Sequence, residues 1–286
     1  MRTHITHNKE HTTNNQQVNH NSKEGIFEIQ FLKGGYGEGS NYANNFAPEN
    51  SGTNVVAVGG TGGNNIPEMD IYNAYEEGDL RRDFSMSLGY YDNRKNNEWV
   101  ESRYVCKFMD VPYQNNDASN NYPVIRYADV ILMYAEALNE LDGSYQIETW
   151  DNSGTHSISR DVDELKKGVQ PVRIRAGIPD FSPEEYANKE LFRKKIKRER
   201  QIELVAEGQR YFDLRRWKDA KDEESLPMYG CNVFMTKGER DLFYKPVPVS
   251  DVLTCFAEKT YFWPIDRSEL EKNVRLTQNP GWQSEK

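Results

Sequence analysis

Three glutamates, Glu199, Glu203 and Glu207, are spaced four residues apart in a segment rich in basic residues. Paired carboxylates are the groups that glycosidases use as general acid and general base. If residues 183–207 are helical, the three side chains share one face, and like charges at this spacing destabilise a helix by about 0.2–0.5 kcal/mol per pair. Cationic side chains must therefore compensate these carboxylates.

Arginine is suited to this role because its planar guanidinium group can bind two carboxylate oxygens at once. A solvated, salt-bridged helix surface is the simpler interpretation of such a charge pattern. The segment that follows, Arg210–Trp217, mixes apolar and charged residues too closely for an exposed face. We therefore predict a structural ionic network, and its expected members are Glu199, Glu203, Glu207, Arg126, Arg173 and Arg210.

A hydrolase is the alternative that these carboxylates raise. The candidate pairs are Asp92 with Glu98, and Glu199 with Glu203. A glycosidase pair stands about 5–10 Å apart across a cleft, in surroundings that separate the two pKa values. Since the Glu199 row is expected to bind arginines, the sequence favours a protein that is not an enzyme.

Composition limits the other functional classes. The chain has 286 residues, of which 36% are hydrophobic and 12% aromatic, and its formal net charge is −9. Mean hydropathy is −0.88 and the pI is near 5.2. An acidic chain is not expected to bind nucleic acid or an anionic membrane surface. Low hydropathy with many aromatic residues indicates long polar loops that carry Tyr, Phe and Trp, and such loops often bind ligands.

No metal or cofactor is predicted. The three cysteines, Cys106, Cys231 and Cys255, lack a CxxC spacing, so neither a zinc site nor a disulfide framework is indicated. Four of the five histidines lie within residues 1–23, without cysteine or carboxylate neighbours in a defined arrangement. We interpret residues 1–23 as a flexible polar lead-in, and they contain no apolar segment typical of a secretory signal.

The clearest helical pattern runs from Arg126 to Leu141, where Tyr127, Val130 or Ile131, Tyr134, Leu138 and Leu141 recur at helical spacing. We expect this stripe to lie in the core. A second helix is predicted over residues 162–176, with a kink or a break at Pro171. Paired amphipathic helices of this kind resemble a tetratricopeptide-like hairpin.

The third helix has a clear start and end. Ser182, Pro183 and Glu185 predict a capping box, and Gly208 predicts a left-handed cap after residue 207. The fold class is therefore mainly α, with long irregular loops and a few short strands. The expected regions are a loop-rich part over 33–125, a helical scaffold over 126–217, and loops with a short helix over 218–286.

Several segments together resemble the SusD/RagB family of starch- and glycan-binding lipoproteins on the surface of Gram-negative bacteria. The segments that carry the resemblance are Arg126–Glu140, Val172–Ile178, Arg198–Trp217, Tyr261–Ile265 and Gln278–Trp282. The resemblance reaches from residue 24 to the end of the chain and covers the C-terminal half, or slightly more, of the family. It implies a SusD-like α/α superhelix fragment.

The resemblance also implies what surrounds such a chain. Members of the family begin with a signal that ends in an acylated cysteine, followed by further scaffold helices. This chain contains neither, so we expect a fragment or a gene that was read from an internal methionine. Membrane attachment is then expected only through a lipid anchor that this chain does not carry. Where the family tends to have a second proline after Pro264 and Ile265, this chain has Asp266, which we expect to cap a short final helix; a tight turn is predicted over Gln278–Trp282.

The function implied by the resemblance is binding of an oligosaccharide or polysaccharide without catalysis. The implied partner is a TonB-dependent (SusC-like) transporter, and the implied location is the outside of the outer membrane. Sugar recognition is expected from loop aromatics that stack on a pyranose, helped by polar side chains. The candidates are Tyr36, Tyr42, Tyr90, Tyr91, Trp99, Tyr113 and Trp150, with Asn93, Arg94 and Asn97. A helical-repeat adaptor that binds proteins and no glycan is the alternative.

Overall fold

The computed structural model describes residues 23–49, 51–223, 229–231, 246–248 and 256–283. The predicted lead-in over residues 1–23 lies outside the described residues, apart from Lys23. The chain divides into two compact units, one that ends at Glu207 and one that begins at Gly208.

Helices in the described part of the chain carry most of the regular structure. They are α1 (Tyr42–Phe46), α2 (Met69–Tyr72), α3 (Leu80–Ser85), α4 (Tyr127–Glu140), α5 (Val162–Arg175), α6 (Pro183–Ala187), α7 (Lys189–Glu203), α8 (Gln209–Trp217), α9 (Ala220–Glu223) and α10 (Arg267–Lys272).

The strands are short and pair in two-stranded antiparallel sheets, β1 with β4, β2 with β3, β5 with β6, and β7 with β8. They are β1 (Gly25–Ile29), β2 (Met86–Asp92), β3 (Glu98–Val105), β4 (Tyr122–Arg126), β5 (Tyr145–Glu148), β6 (Thr155–Ile158), β7 (Tyr229–Cys231) and β8 (Pro246–Pro248). The prediction of a mainly helical chain with a few short strands is confirmed.

The main core of the first unit lies between α4, α5, α6 and α7. Its fully buried side chains include Leu132 of α4, Leu165 of α5 and Phe192 of α7. Helices α4 and α5 meet closely because Gly168 has no side chain: a Cβ there would lie 2.5 Å from the Ile131 carbonyl oxygen. This core holds the helical scaffold together.

The buried face of α4 differs from the predicted stripe. Ala128, Leu132, Ala135 and Leu138 face the core, with Ile131 packed beside them. The predicted core residues Tyr127, Val130 and Tyr134 are exposed. The alanines allow α5 to approach closely. The face of α4 that carries Ala128 and Ala135 therefore lies in the core, and the face that carries Tyr127 and Tyr134 is exposed.

The predicted third helix is two helices. Its capping box is present, since the Ser182 hydroxyl accepts the Glu185 N–H at 3.2 Å and the Glu185 carboxylate accepts the Ser182 N–H at 2.8 Å. Helix α6 ends at Ala187, and Asn188 caps α7 by accepting the Leu191 N–H at 3.0 Å. Helix α7 ends at Glu203, so Glu207 lies in the turn before Gly208, whose φ of +80° fits the predicted left-handed cap.

Of the predicted kink or break at Pro171, the break is absent, because helix α5 continues through this residue. Its side chains Val169 and Val172, on either side of the proline, are buried in the main core. Burial of both residues holds the helix continuous across a residue that lacks a backbone donor.

The loop-rich part of the first unit has its own small cores. An aromatic cluster joins Tyr42 and Phe46 of α1 to Phe108 and Tyr122. The glycine-rich loop over residues 59–63 is bound to α1, because the Asn44 side chain donates to the carbonyl oxygens of Val58 and Gly60. The Gly60, Gly62 and Gly63 N–H groups donate to the Asn115 side chain and to the Asn44 and Ala47 carbonyl oxygens, so these backbone groups are bonded within the protein.

In the second unit, two predicted details are present. Asp266 caps α10 by accepting the Ser268 N–H at 2.8 Å. The Trp282 indole N–H donates to the Lys259 and Phe262 carbonyl oxygens, both at 2.9 Å, and closes the C-terminal turn. Among the described residues, no helix is both long and apolar enough to cross a membrane.

Candidate functional site

The glutamate row lies inside the first unit and is bound by cations. Glu199 and Glu203 project from α7, and both are 2% exposed. Glu199 accepts from the Arg81 Nη1 at 2.6 Å and from the Arg173 Nη1 at 2.8 Å. Arg173 also contacts Glu76, so the pairs join into a network.

Glu203 is the most heavily bonded carboxylate of the row. It accepts from Arg126 Nη1 at 2.7 Å and from Arg81 Nη1 at 2.9 Å, and it also pairs with Arg175. Its own carbonyl oxygen accepts from Arg126 Nη2 at 2.7 Å and from Lys107 Nζ at 3.0 Å. The end of α7 is thus capped by buried cations.

Glu207 completes the network from the turn after α7. Its carboxylate accepts from Arg126 Nε at 2.7 Å and from the buried Lys107 ammonium group. Its backbone carbonyl accepts the Tyr122 hydroxyl at 2.9 Å. Arg126 therefore bridges two carboxylates of the row and joins α4 to the end of α7.

The network keeps these carboxylates ionised. Burial alone would raise the pKa of Glu203, but the charges of Arg126, Arg175, Arg81 and Lys107 hold its pKa well below the ordinary value. Burial likewise opposes the charge on Glu207, and Arg126 and Lys107 lower its pKa overall. A catalytic acid needs a raised pKa. The row is therefore suited to bracing the fold and not to proton transfer.

Membership of the network differs from the prediction at one residue. Arg210 lies in the second unit, on α8, where it pairs with Glu223 at 3.3 Å and stands over the Trp217 ring. Gly208 ends the turn and starts α8, which carries Arg210 into another set of contacts. Arg81, Lys107 and Arg175 occupy the network beside Arg126 and Arg173.

Two of the predicted sugar-binding aromatics meet on the hairpin formed by β2 and β3. Tyr91 and Trp99 are directly paired across the strands, and their ring centroids are 5.0 Å apart with an angle of 68° between planes. Both are exposed, Tyr91 at 60% and Trp99 at 46%. The Trp99 indole lies over Gly89, where a Cβ would stand 2.8 Å from its Cζ2 atom.

The polar candidates lie at the tip of the same hairpin. Arg94 donates to the buried Asp92 carboxylate from Nε at 2.9 Å and from Nη2 at 3.1 Å. Hydrogen bonding from Arg94 lowers the pKa of Asp92 below its ordinary range. Asn97 adopts a φ of +60° and donates its N–H to the Asp92 carbonyl oxygen at 3.0 Å.

The tip is also joined to a neighbouring loop. The Asn54 side chain donates to Asp92 at 2.9 Å and accepts the Asn93 N–H at 3.0 Å. The exposed side chains of Asn93, Arg94 and Asn97 are therefore presented on a backbone that side-chain bonds hold in place. Such preorganisation lowers the entropic cost of binding.

Tyr36 and Tyr113 are exposed, and their rings lie near two adjacent glycines. A Cβ at Gly34 would lie 2.6 Å from the Tyr36 ring, and one at the adjacent Gly35 would lie 3.5 Å from the Tyr113 ring. The Gly34 and Gly35 N–H groups donate to Asp117, at 3.2 and 2.7 Å, which fixes the turn between the rings. Both tyrosines are more than half exposed, at 72% and 64%.

Two of the predicted sugar-binding tyrosines, Tyr90 and Tyr42, are wholly or partly buried in the protein. Tyr90 is 8% exposed, because alternation along β2 turns it inward where Tyr91 turns outward. Tyr42 is half-buried in the aromatic cluster, stacked at 5.5 Å on Phe46 and at 5.5 Å on Tyr122. Their ring faces are covered by protein, so neither offers a platform for a sugar.

Trp150 is another of the predicted sugar-binding aromatic residues. It lies between β5 and β6, and its side chain is 95% exposed. The adjoining turn is closed by Asp151, whose carboxylate accepts the Ser153 N–H at 3.1 Å.

Residues 77–282 match the sequence pattern of the SusD family. The chain belongs to the SusD family. Its relatives include the SusD-like protein P2 of Formosa agariphila, which is 27% identical over 237 residues, or 76% of this chain and 40% of that protein.

Solved structures of SusD-like proteins share the fold. A SusD-like protein from Bacteroides fragilis superposes with a TM-score of 0.63 at 20% identity, covering 92% of this chain and 55% of its own. Surface glycan-binding protein A of Bacteroides thetaiotaomicron, in complex with laminarihexaose, gives a TM-score of 0.54 at 19% identity, with 90% and 52% covered. This SusD-family chain spans about half of the length of these relatives.

Sequence reasoning missed several residues of this SusD-family chain. Arg81 and Lys107 lie in the loop-rich part, far from the glutamates in sequence, so spacing gave no signal for either. The turn formed by Asp92 could have been found from the Asp92-Asn-Arg order, since Asp favours a turn in which its side chain accepts a downstream N–H. Asn54 reaches the hairpin tip from 38 residues away, so the local sequence gave no signal for it.

Proposed function

We propose that this chain is the glycan-binding, non-catalytic part of a SusD-family protein and that the β2–β3 hairpin contacts the sugar. The observation that carries the proposal is the exposed Tyr91 and Trp99 pair on a bonded hairpin whose tip presents Asn93, Arg94 and Asn97. Aromatic faces stack on pyranose rings, and the polar tip offers hydrogen bonds to hydroxyl groups. A laminarin-binding SusD-like protein and glycan-binding relatives share the fold, which supports this class of ligand.

Calorimetric titration against a polysaccharide and oligosaccharide panel that includes laminarihexaose tests the proposal. At least one glycan is expected to bind, and Trp99→Ala is expected to weaken that binding about tenfold or more, equal to about 1.4 kcal/mol. Trp263→Ala is the matched control, because Trp263 is exposed but lies in the second unit. Failure of every glycan to bind, or equal losses in both variants, would reject the proposal.

The location and partner form a further part of the proposal. We infer surface exposure on the outer membrane and association with a TonB-dependent, SusC-like transporter that takes up the glycan. Membership of the SusD family supports this arrangement. Surface labelling of cells, followed by co-purification of a TonB-dependent transporter with the tagged protein, tests it, and recovery without any transporter would contradict it.

A protein-binding adaptor is the second candidate function. The observation that favours it is the exposed apolar face of α4, where Tyr127, Val130 and Met133 are each more than a third exposed. Apolar faces of this kind often bind other proteins. A chain that captures a transporter but binds no glycan in the titrations would favour the adaptor.

A further inference from the structure

A groove between α4 and the β5–β6 hairpin is separate from the hairpin that carries Tyr91 and Trp99. Its volume is about 570 Å³. Pockets that bind small ligands commonly enclose about 300–1,000 Å³. The groove is therefore large enough to hold a small organic ligand.

One wall of the groove is a single face of α4. Tyr134, Ala137, Leu138 and Leu141 line it, at the spacing that places helical residues on one side. Leu138 is buried, whereas Ala137 and Tyr134 are exposed. The wall thus combines an aliphatic floor with an accessible aromatic ring.

The opposite wall is one face of the β5–β6 hairpin. Ile147 is paired with His156, and Ile158 lies two residues further along β6, so all three side chains share a face and line the groove. The hairpin is exposed along nearly its whole length. A two-stranded hairpin is marginally stable by itself.

Side-chain bonds hold this hairpin in shape. The Ser144 and Ser157 hydroxyls are hydrogen-bonded at 2.7 Å, and Tyr145 donates to Asp142. At the turn, the Asp151 carboxylate accepts from Thr149 and Ser153, both at 2.7 Å, and its pKa is lowered to about 2 by these bonds. The hairpin wall is therefore preorganised while most of its side chains face solvent.

The polar side of the groove is acidic. Asp161 and Glu164, at the start of α5, line the groove beside Ser157 and Ser159. Glu164 accepts the Tyr134 hydroxyl at 2.9 Å and also pairs with Lys167, which does not line the groove. Among the described residues that line it, neither lysine nor arginine occurs. Carboxylates accept hydrogen bonds from hydroxyl groups and repel anions.

We propose that the groove between α4 and the β5–β6 hairpin is a second saccharide-binding site that takes a neutral sugar and rejects acidic ones. This inference rests on the proposed glycan-binding function, and it adds the ligand class. Tyr134 and the aliphatic walls cover the apolar face of a pyranose, and the carboxylates with the Ser159 hydroxyl bind its hydroxyl groups. An anionic glycan would instead place a like charge beside Asp161 and beside Glu164, of which only Glu164 pairs with a lysine, Lys167, among the described contacts.

The test uses the full 286-residue chain, calorimetric titration, and two probes: laminarihexaose as the neutral saccharide and a hexamer of galacturonic acid as the acidic one. Ala137→Trp fills the groove from an exposed position of its wall. Met133→Trp is the control, because Met133 is exposed on the same helix but does not line the groove. The affinity of the groove site for the neutral probe is expected to be lower in Ala137→Trp by about tenfold or more. In Met133→Trp this affinity is expected to be unchanged.

A second measurement does not depend on that variant folding. The His156 ring resonance, assigned by comparison with His156→Gln, is expected to shift when the neutral probe is added and not with the acidic probe. A Tyr91→Ala, Trp99→Ala double variant separates the two sites. Binding of the neutral probe in the groove and the His156 shift should both persist in this variant.

Three results would overturn the groove proposal. In the first, the neutral saccharide binds the wild type and Ala137→Trp equally well and causes no His156 shift. All binding would then occur at the β2–β3 hairpin. An acidic probe that shifts His156 as strongly as the neutral one contradicts the ligand class. If neither probe binds, and no glycan of the panel binds either, both the groove proposal and the proposed function are rejected.

Discussion

The Tyr91 ring stands edge-on to the Trp99 indole, with centroids 5.0 Å apart and planes at 68°, on positions that pair directly across the β2–β3 hairpin. The Trp99 ring lies over the backbone at Gly89. The orientation of the exposed aromatic pair therefore depends on a residue that has no side chain.

Gly89→Ala is predicted to displace this pair. A Cβ at Gly89 would lie 2.1 Å from the Val100 carbonyl oxygen and 2.8 Å from Trp99 Cζ2, so the hairpin must shift. We expect a loss of about 1–3 kcal/mol in the free energy of unfolding, as for other overpacked sites. We also expect weaker glycan binding, measured by denaturation and calorimetry together.

Gly143→Ala is the matched control, because a Cβ there meets no atom within 4 Å. The control should leave both the stability and the affinity unchanged. If Gly89→Ala had the same stability and affinity as Gly143→Ala, the described contact between the Trp99 ring and Gly89 would be wrong.

Glu203→Gln is predicted to destabilise the protein strongly. The variant removes a buried charge that binds Arg126, Arg81 and Arg175, and those cations stay behind without their central partner. Breaking a buried ion pair from one side commonly costs about 3–5 kcal/mol. Urea denaturation of the variant should show a loss of that order in the free energy of unfolding.

The control for Glu203 is an exposed ion pair. Glu271 binds Arg267 on the surface of α10, and both side chains are well exposed. Exposed pairs contribute about 0–1 kcal/mol. Glu271→Gln should therefore stay close to the wild type, and a loss in Glu203→Gln no larger than this would mean that the network does not brace the fold.

Arg126→Lys is predicted to be much more damaging than Arg210→Lys. Arg126 bonds Glu207 from Nε and Glu203 from Nη1 and Nη2, and an ammonium group cannot reproduce that planar fork. Arg210 makes an ion pair at 3.3 Å with the half-exposed Glu223. We expect Arg126→Lys to lose about 2 kcal/mol or more and Arg210→Lys less than about 1 kcal/mol. Equal midpoints of thermal unfolding for the two variants would contradict this ranking.

The sequence predicted elements whose signals are local. The capping box at Ser182, the left-handed Gly208 and the cap at Asp266 all depend on neighbours within a few residues, and all three are present. The predicted stripe of α4 was right at Leu138 and wrong at Tyr127, Val130 and Tyr134, because the buried face depends on a partner helix. Gly168 of α5 lets the alanine face of α4 pack closely, and periodicity alone favoured the larger Tyr127 and Tyr134.

The candidate site, like the fold, was predictable only where its signals are local in the sequence. Alternation along a strand separates Tyr90 from Tyr91, but the sequence does not show which of the two faces the core. The exposed pairing of Tyr91 with Trp99 depends on the hairpin register, which is set by hydrogen bonds between residues far apart in the chain. Arg81 and Lys107 reach Glu203 and Glu207 through the tertiary fold, so spacing gave no indication of either.

Stability is predicted to fall at acid pH because of the buried glutamates. The pKa of Glu203 is well below its ordinary value in the folded protein, whereas an unfolded glutamate titrates near about 4.3. As pH falls, the unfolded state therefore binds protons first, so the stabilisation is present above about pH 4.3 and is lost as pH falls toward the folded pKa. Glu207, whose pKa is also lowered, contributes in the same direction.

Urea denaturation from pH 7 to pH 3.5 measures this dependence. The wild type should keep a nearly constant free energy of unfolding down to about pH 5 and lose it progressively below about pH 4.3. Glu203→Gln lacks one of the titrating groups, so its free energy of unfolding should fall less steeply over the same acid range, although it starts lower. Parallel curves for the two proteins below pH 4.3 would show that Glu203 is not held ionised by Arg126, Arg175, Arg81 and Lys107.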